Sequence, residues 1–221
     1  MARERMISNG KCCLCGAVFD KAVMGRHLKA CKQKRLATGA KKARKTAFHL
    51  LVEGRYQPEY WMHLKVPAGA TLETLDRFLR DTWLECCGHM SEFEIDGTRY
   101  SVEPVDMDDE FMDVKLSEVL SPGMKFDHVY DFGSTTHLRL KVISEDPGDL
   151  AGRKVRLLAR NEPPVIPCGN CGKPATKVCA ECAYSAEGWL CDKCAAKHEC
   201  GDEMLLPVVN SPRTGVCGYT G

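Results

Sequence analysis

Short runs in which apolar and polar positions alternate, separated by turn residues, begin at residue 47 and predict strands over 47–54 and 60–66. In the second run Trp61 and His63 fall on one face, Met62 and Leu64 on the other. After the turn Pro67-Ala68-Gly69 the period changes. Leu72, Leu75, Phe78, Leu79, Thr82, Trp83 and Cys86 recur at i, i+3, i+4 behind Thr71, whose hydroxyl suits an N-cap, so a helix buried on one face is expected. Asp96-Gly97 between two alternating runs predicts a type I′ hairpin, because both turn residues must take positive φ. An acidic loop over 106–110, a short helix over 114–120 stopped by Ser121-Pro122-Gly123, and a strand pair over 125–132 and 137–143 complete the pattern. The fold class expected for residues 47–160 is α+β, a small mixed domain of short antiparallel strands packed on helices.

On either side the hydrophobic pattern is too thin to build a core, and cysteine takes its place. Fourteen of the 221 residues are Cys, and eight of them form the C-x-x-C pairs Cys12/Cys15, Cys168/Cys171, Cys179/Cys182 and Cys191/Cys194. With histidines nearby, this is metal-ligand spacing and not a disulfide framework. In Cys12-x2-Cys15-x3-Phe19-x4-Met24-x2-His27-x3-Cys31 the last two ligands stand one helical turn apart on one face, opposite the Cys12/Cys15 knuckle. Phe19 and Met24 supply a two-residue apolar core, so residues 1–33 resemble a ββα-like zinc finger of the C2HC kind. Residues 34–46 are a basic linker with too little apolar content to pack.

At the other end, Cys168-x2-Cys171-x7-Cys179-x2-Cys182-x8-Cys191-x2-Cys194-x3-His198-x-Cys200 places eight ligands in a span too short to bury a core without metal. Glycines at 169 and 172 suit a tight knuckle. Residues 165–202 resemble the cross-brace of B-box and MYND modules. That resemblance implies alternate pairing, with Cys168, Cys171, Cys191 and Cys194 on one ion and Cys179, Cys182, His198 and Cys200 on the other; sequential pairing, with the first four cysteines on one ion, is the alternative. Three Zn²⁺ ions are expected in the whole chain. The tail, 203–221, is too apolar for a free end and is expected to pack back on a domain.

The formal net charge of +1 conceals a segregation. Residues 1–46 carry 13 Lys/Arg against 2 Asp/Glu, residues 47–148 carry 9 against 20, and residues 149–221 carry 9 against 8. The basic N-terminus points to phosphate contacts with DNA or RNA, for which Arg26, Lys29, Lys32, Lys34, Arg35, Lys41, Lys42, Arg44 and Lys45 are the candidates. A finger that reads DNA covers only about three base pairs, so strong sequence specificity is not expected from it. The competing reading is intramolecular pairing with the acidic middle segment. No stretch approaches the roughly 18 apolar residues of a spanning helix, and the N-terminus has no apolar segment, so a cytoplasmic protein without a membrane is expected.

Tyr56-x-Pro58-x-Tyr60-Trp61, Val66-Pro67, Thr71-Leu72-x-x-Leu75, Cys86-Cys87-Gly88-His89-x-x-x-Phe93 and Tyr130-Asp131-Phe132-Gly133-x-x-x-His137 together resemble the plasmid pRiA4b open-reading-frame-three-like family, also called the transposon TnpR passenger family. The resemblance covers residues 46–145 and implies an α+β fold and a link to mobile elements, with no established reaction. After Tyr-Asp-Phe-Gly the family continues with Asp, and later Trp, before the His; here the residues are Ser134, Thr135 and Thr136.

Four cysteines remain outside the three zinc sets: Cys13, Cys86, Cys87 and Cys217. Cys86-Cys87-Gly88-His89, with Asp131 and His137, has two sharp readings, a further metal site or a thiolate nucleophile with a histidine base. The reading preferred over both is that Cys86 and Cys87 are buried small hydrophobes and His89 a hydrogen-bonded core histidine. Asp131-Phe132-Gly133 matches the kinase magnesium motif in three letters, without its Gly-rich loop or catalytic loop. The cross-brace fills all its positions with protein ligands, which leaves no open coordination site for a water nucleophile. The sequence therefore favours a non-enzymatic zinc adaptor for nucleic acid or protein partners over an enzyme centred on His89, Asp131 and His137.

Overall fold

The computed structural model describes residues 8–37, 46–104, 106–147 and 155–221. Ten of its strands join one sheet: β1 (Asn9–Cys12), β2 (Val18–Asp20), β3 (Thr46–Gly54), β4 (Trp61–Pro67), β5 (Ser91–Ile95), β6 (Thr98–Ser101), β7 (Glu110–Phe111), β8 (Lys125–Tyr130), β9 (Thr136–Pro147) and β10 (Arg156–Asn161). The order across it is β2-β1-β10-β4-β3-β9-β8-β5-β6-β7, antiparallel except for β6 beside β7. The helices are α1 (Lys21–Ala37), α2 (Leu72–Leu79), α3 (Leu116–Val119) and α4 (Asp192–Ala195). A second sheet, β12-β11-β13, is formed by β11 (Lys177–Cys179), β12 (Trp189–Leu190) and β13 (Leu205–Pro207).

The main core lies between the sheet and α2. Phe48, Leu50 and Val52 of β3 and Met62, Leu64 and Val66 of β4 meet Leu72, Leu75 and Leu79 of α2, with Trp83 fully buried beside them. Each such side chain removed from water contributes about 1.5–3 kcal/mol. Thr71 caps α2, its Oγ1 accepting from the Thr74 amide at 3.2 Å. The hairpin turn takes the expected form, with φ of 50° at Asp96 and 83° at Gly97.

The predicted helix reaching Cys86 is shorter in the structure. After Leu79 the chain makes a π-helical turn, Arg80–Leu84, and then extends at Glu85. Glu85 is drawn out of the helix by three partners: Arg80, the Gly88 amide at 2.6 Å and the Tyr130 hydroxyl at 3.1 Å. Cys86 and Cys87 consequently lie in a loop.

On the opposite face of the sheet α1 covers β4 and β10. Met24 and Leu28 of α1, Cys12, Trp61, Leu158 and Ala159 form a second core, so β4 is buried on both faces. The N-terminal segment is therefore joined to the middle segment and does not stand beside it as a bead. β1 pairs with β10, Gly10 opposite Asn161 and Cys12 opposite Ala159. Phe19 and Met24 alone would make too small a core; Leu28 and the indole of Trp61 enlarge it. A Cβ at residue 10 would overlap the Trp61 ring and the Arg160 carbonyl, which is the reason for glycine there.

Hydrogen bonds tie the tail to the middle segment. Ser211 Oγ donates to the Trp83 carbonyl at 2.6 Å, and the Asn161 amide nitrogen donates to Asn210 Oδ1 at 2.7 Å. Arg213, fully buried, reaches Asp131 Oδ2 at 2.7 Å, the Ser134 carbonyl at 3.1 Å and Thr136 Oγ1 at 3.0 Å.

Candidate metal centres

Among the described residues, four groups of cysteine and histidine each bring their donor atoms within 4.8 Å of one another. In the first, Cys12 closes β1, Cys15 follows in the turn, and α1 presents His27 and Cys31. Cys15 Sγ stands 3.3 Å from His27 Nε2, and the His27 ring packs against Phe19 at 4.3 Å between centroids. Burial and the neighbouring Cys15 thiol push Cys31 up to about 11.

The C-terminal segment holds two groups in the alternate order: Cys168, Cys171, Cys191 and Cys194 in one, Cys179, Cys182, His198 and Cys200 in the other. The interleaving is built by β11, which carries Cys179 and pairs with β12, leading into Cys191, and with β13, following Cys200. Gly172 at φ 71° lets its amide turn back to the Cys168 carbonyl at 2.9 Å. Cys168 is held down to about 6, first by the Cys191 amide. Cys179 falls to about 7: burial raises it, and the Cys182 amide and His198 outweigh burial. Nearby thiols push Cys194 and Cys200 up to about 12. Four thiols at such spacing do not all ionise by themselves, whereas a divalent cation deprotonates its coordinating thiols outright. Soft thiolate and imidazole donors in sets of four are consistent with zinc.

The fourth group is Cys86, Cys87, His89 and Cys217. Cys86 is half-buried and packs against the main core, whereas Cys87 is exposed, so the expectation of two buried hydrophobes is corrected at Cys87, which the chain's exit from the π-helical turn leaves at the surface. His89 Nε2 lies 3.0 Å from Cys87 Sγ, 3.2 Å from Cys217 Sγ and 3.4 Å from Asp131 Oδ2. Burial raises the Cys86 thiol, but hydrogen bonds from Arg213 and Cys87 outweigh it and hold the thiol below its ordinary value. His137 stays apart. It pairs with Val129 on the strand register, so it faces away from Tyr130 and Thr136, and its ring meets Tyr56 edge-on at 5.4 Å. Cys217 was not grouped with the others by sequence reasoning; the signal available was its setting, a cysteine among turn glycines in a tail too apolar to be free.

Of the basic candidates, Arg26 and Lys29 are exposed on α1. Lys32, Lys34 and Arg35 lie on the C-terminal part of α1, and Lys41, Lys42, Arg44 and Lys45 lie outside the described residues.

The model of the plasmid pRiA4b ORF-3-like proteins matches residues 47–172, more than half of the chain. The chain belongs to this family. The pRiA4b ORF-3-like region thus takes in β4 to β10, nearly all of β3 and the pair Cys168 and Cys171, and leaves β1, β2, α1 and the rest of the C-terminal cysteines outside. Comparison with curated proteins gave no match. Among solved structures, a crystal structure of a protein of unknown function, MM3350 from Methanosarcina mazei Go1, is similar at 20% identity and a TM-score of 0.48, covering 54% of this chain and 72% of that one. Among the described residues no helix is long and apolar enough to cross a membrane.

Proposed function

We propose that this protein is a zinc-stapled binding adaptor that works in the reducing cytoplasm, where its thiols stay free to ligate metal. Three structural Zn²⁺ ions are held by Cys12, Cys15, His27 and Cys31; by Cys168, Cys171, Cys191 and Cys194; and by Cys179, Cys182, His198 and Cys200. The observation that carries this reading is the closure of each set: four protein donors within 4.8 Å fill a tetrahedral ion and leave no place for a reacting water. The ions then shape surfaces. Arg26 and Lys29, exposed on α1, make the nucleic-acid contact together with the basic residues that follow in the sequence, and the C-terminal cross-brace is a protein-binding face. Membership of a family described from a plasmid supports a setting on mobile elements.

The rival reading, an enzyme at Cys86, Cys87, His89, Asp131 and His137, is weakened by two placements. His137 faces away, and Asp131 is engaged by Arg213 and by the Gly133 and Ser134 amides. The test is a salt titration of binding to duplex DNA and to RNA, with and without Arg26→Ala/Lys29→Ala. The logarithm of the binding constant should fall linearly with log salt, and the double variant should flatten that slope by about 2. Binding indifferent to salt and to both substitutions would remove the nucleic-acid role.

A further inference from the structure

Cys86, Cys87, His89 and Cys217 differ from the three sets above in origin. Three of them belong to one loop of the middle segment, the fourth comes from the C-terminal tail, and no C-x-x-C knuckle joins them. Nothing local in the chain requires them to meet. The tail nevertheless brings Cys217 to within 3.8 Å of Cys87 Sγ and 3.2 Å of His89 Nε2. It does so with Cys217 itself in the left-handed region at φ 50°, between Gly215 at 81° and Gly218 at 67°. Non-glycine residues are found there only when the surroundings impose it.

The spacing is that of ligands around one ion. With Zn–S near about 2.3 Å and Zn–N near about 2.0 Å, a tetrahedral site has S···S edges of about 3.8 Å and S···N edges of about 3.5 Å. Here the S···S separations are 3.6 Å for Cys86–Cys87 and 3.8 Å for Cys87–Cys217, and the two S···N separations are 3.0 and 3.2 Å. Three thiolates around a dication leave one negative charge in excess, and the structure supplies its counter-ion. The buried Arg213 guanidinium lies 3.3 Å from Cys86 Sγ, and it is carried by the same tail as Cys217. Asp131 borders the group without joining it: Oδ2 accepts from Arg213, and Oδ1 accepts from the Gly133 and Ser134 amides at 3.0 and 3.1 Å.

We propose that Cys86, Cys87, His89 and Cys217 bind a fourth Zn²⁺ ion that clasps the C-terminal tail to the middle segment. With Cys87 and Cys217 exposed, this ion is the one most open to exchange, so the clasp follows free zinc while the other three ions stay in place. It needs neither nucleic acid nor a partner, and goes beyond the adaptor reading.

The test is zinc content of the full chain by mass spectrometry of the metal, for wild type, Cys217→Ser and His89→Cys, paired with hydrogen exchange over residues 208–219. Four ions per chain are expected in wild type and in His89→Cys, which keeps a fourth soft donor, and three in Cys217→Ser. Tail amides should exchange at least tenfold faster in Cys217→Ser. The variant should remain folded, because Arg213, Ser211 and Asn210 still hold the tail. Three ions in wild type with no change in Cys217→Ser would overturn the clasp and leave the adaptor reading standing; fewer than three in wild type would overturn both.

Discussion

The middle segment and the cysteine-rich C-terminal segment differ in what they bury. Between residues 47 and 160 the chain buries Phe48, Trp61, Trp83, Phe93, Tyr130 and a layer of Leu, Val and Met against one sheet. Between residues 168 and 205 the buried apolar cluster consists of Cys168, Leu190, Cys191 and Ala195, with Cys194 and Leu205 against it. Half of those residues are candidate ligands. Apolar burial scales with segment size, and below about 40 residues it seldom covers the conformational entropy of folding. The larger segment folds around side chains; in the proposed reading the smaller one folds around ions. The N-terminal segment lies between these extremes, since it has a four-ligand group and also borrows Trp61, Leu158 and Ala159 from its neighbour.

The largest effect that would break this contrast is expected at a ligand. Structural zinc contributes about 10–16 kcal/mol of apparent folding energy in small modules, so Cys179→Ser should unfold residues 168–205 while β3, β4 and β9 keep their amide protection. Measured by hydrogen exchange, loss of protection in both segments together would show that they fold as one unit. Next comes Arg213→Ala, which strands the Asp131 carboxylate in a buried site. Breaking a buried pair in this way costs about 3–5 kcal/mol, and urea unfolding of the main sheet should reveal it.

A smaller effect sharpens the picture of the middle core as self-sufficient. Asp76, almost fully buried on α2, accepts from His128 Nε2 at 2.7 Å. Burial raises the Asp76 pKa, but His128 outweighs burial and holds the carboxyl below its ordinary value. A lowered folded pKa adds stability above the unfolded value of about 3.9, and that stability disappears as pH falls through the folded value. Denaturant midpoints followed from pH 5 to pH 2 should therefore drop in wild type by the equivalent of about 1–3 kcal/mol, and Asp76→Asn should flatten that part of the profile.

What could be read in the sequence was what local chemistry dictates. The Thr71 cap and the Asp96-Gly97 turn depend on residues a few positions apart, and the structure places them accordingly; each C-x-x-C pair, equally local, falls within one Cys/His group. Periodicity also identified two faces on β4, but it does not say what covers the second face. That cover is α1, and it depends on β1 meeting β10, Gly10 opposite Asn161, a pairing that no local signal encodes. The π-helical turn escaped for a related reason: Leu72, Leu75, Leu79 and Trp83 keep the same apolar spacing through it, while Glu85 is pulled away by partners on other elements. Cys217 and Arg213 were the furthest from view, because their partners lie more than 75 residues away along the chain.

In the proposed reading metal, and not apolar burial, holds the C-terminal module. Hydrogen exchange of the full chain before and after stripping by a strong chelator tests it directly. The account predicts that amides of β11, β12 and β13 lose protection by orders of magnitude while those of β3, β4 and β9 are unchanged. Retained protection across Lys177–Cys179 in metal-free protein would contradict it.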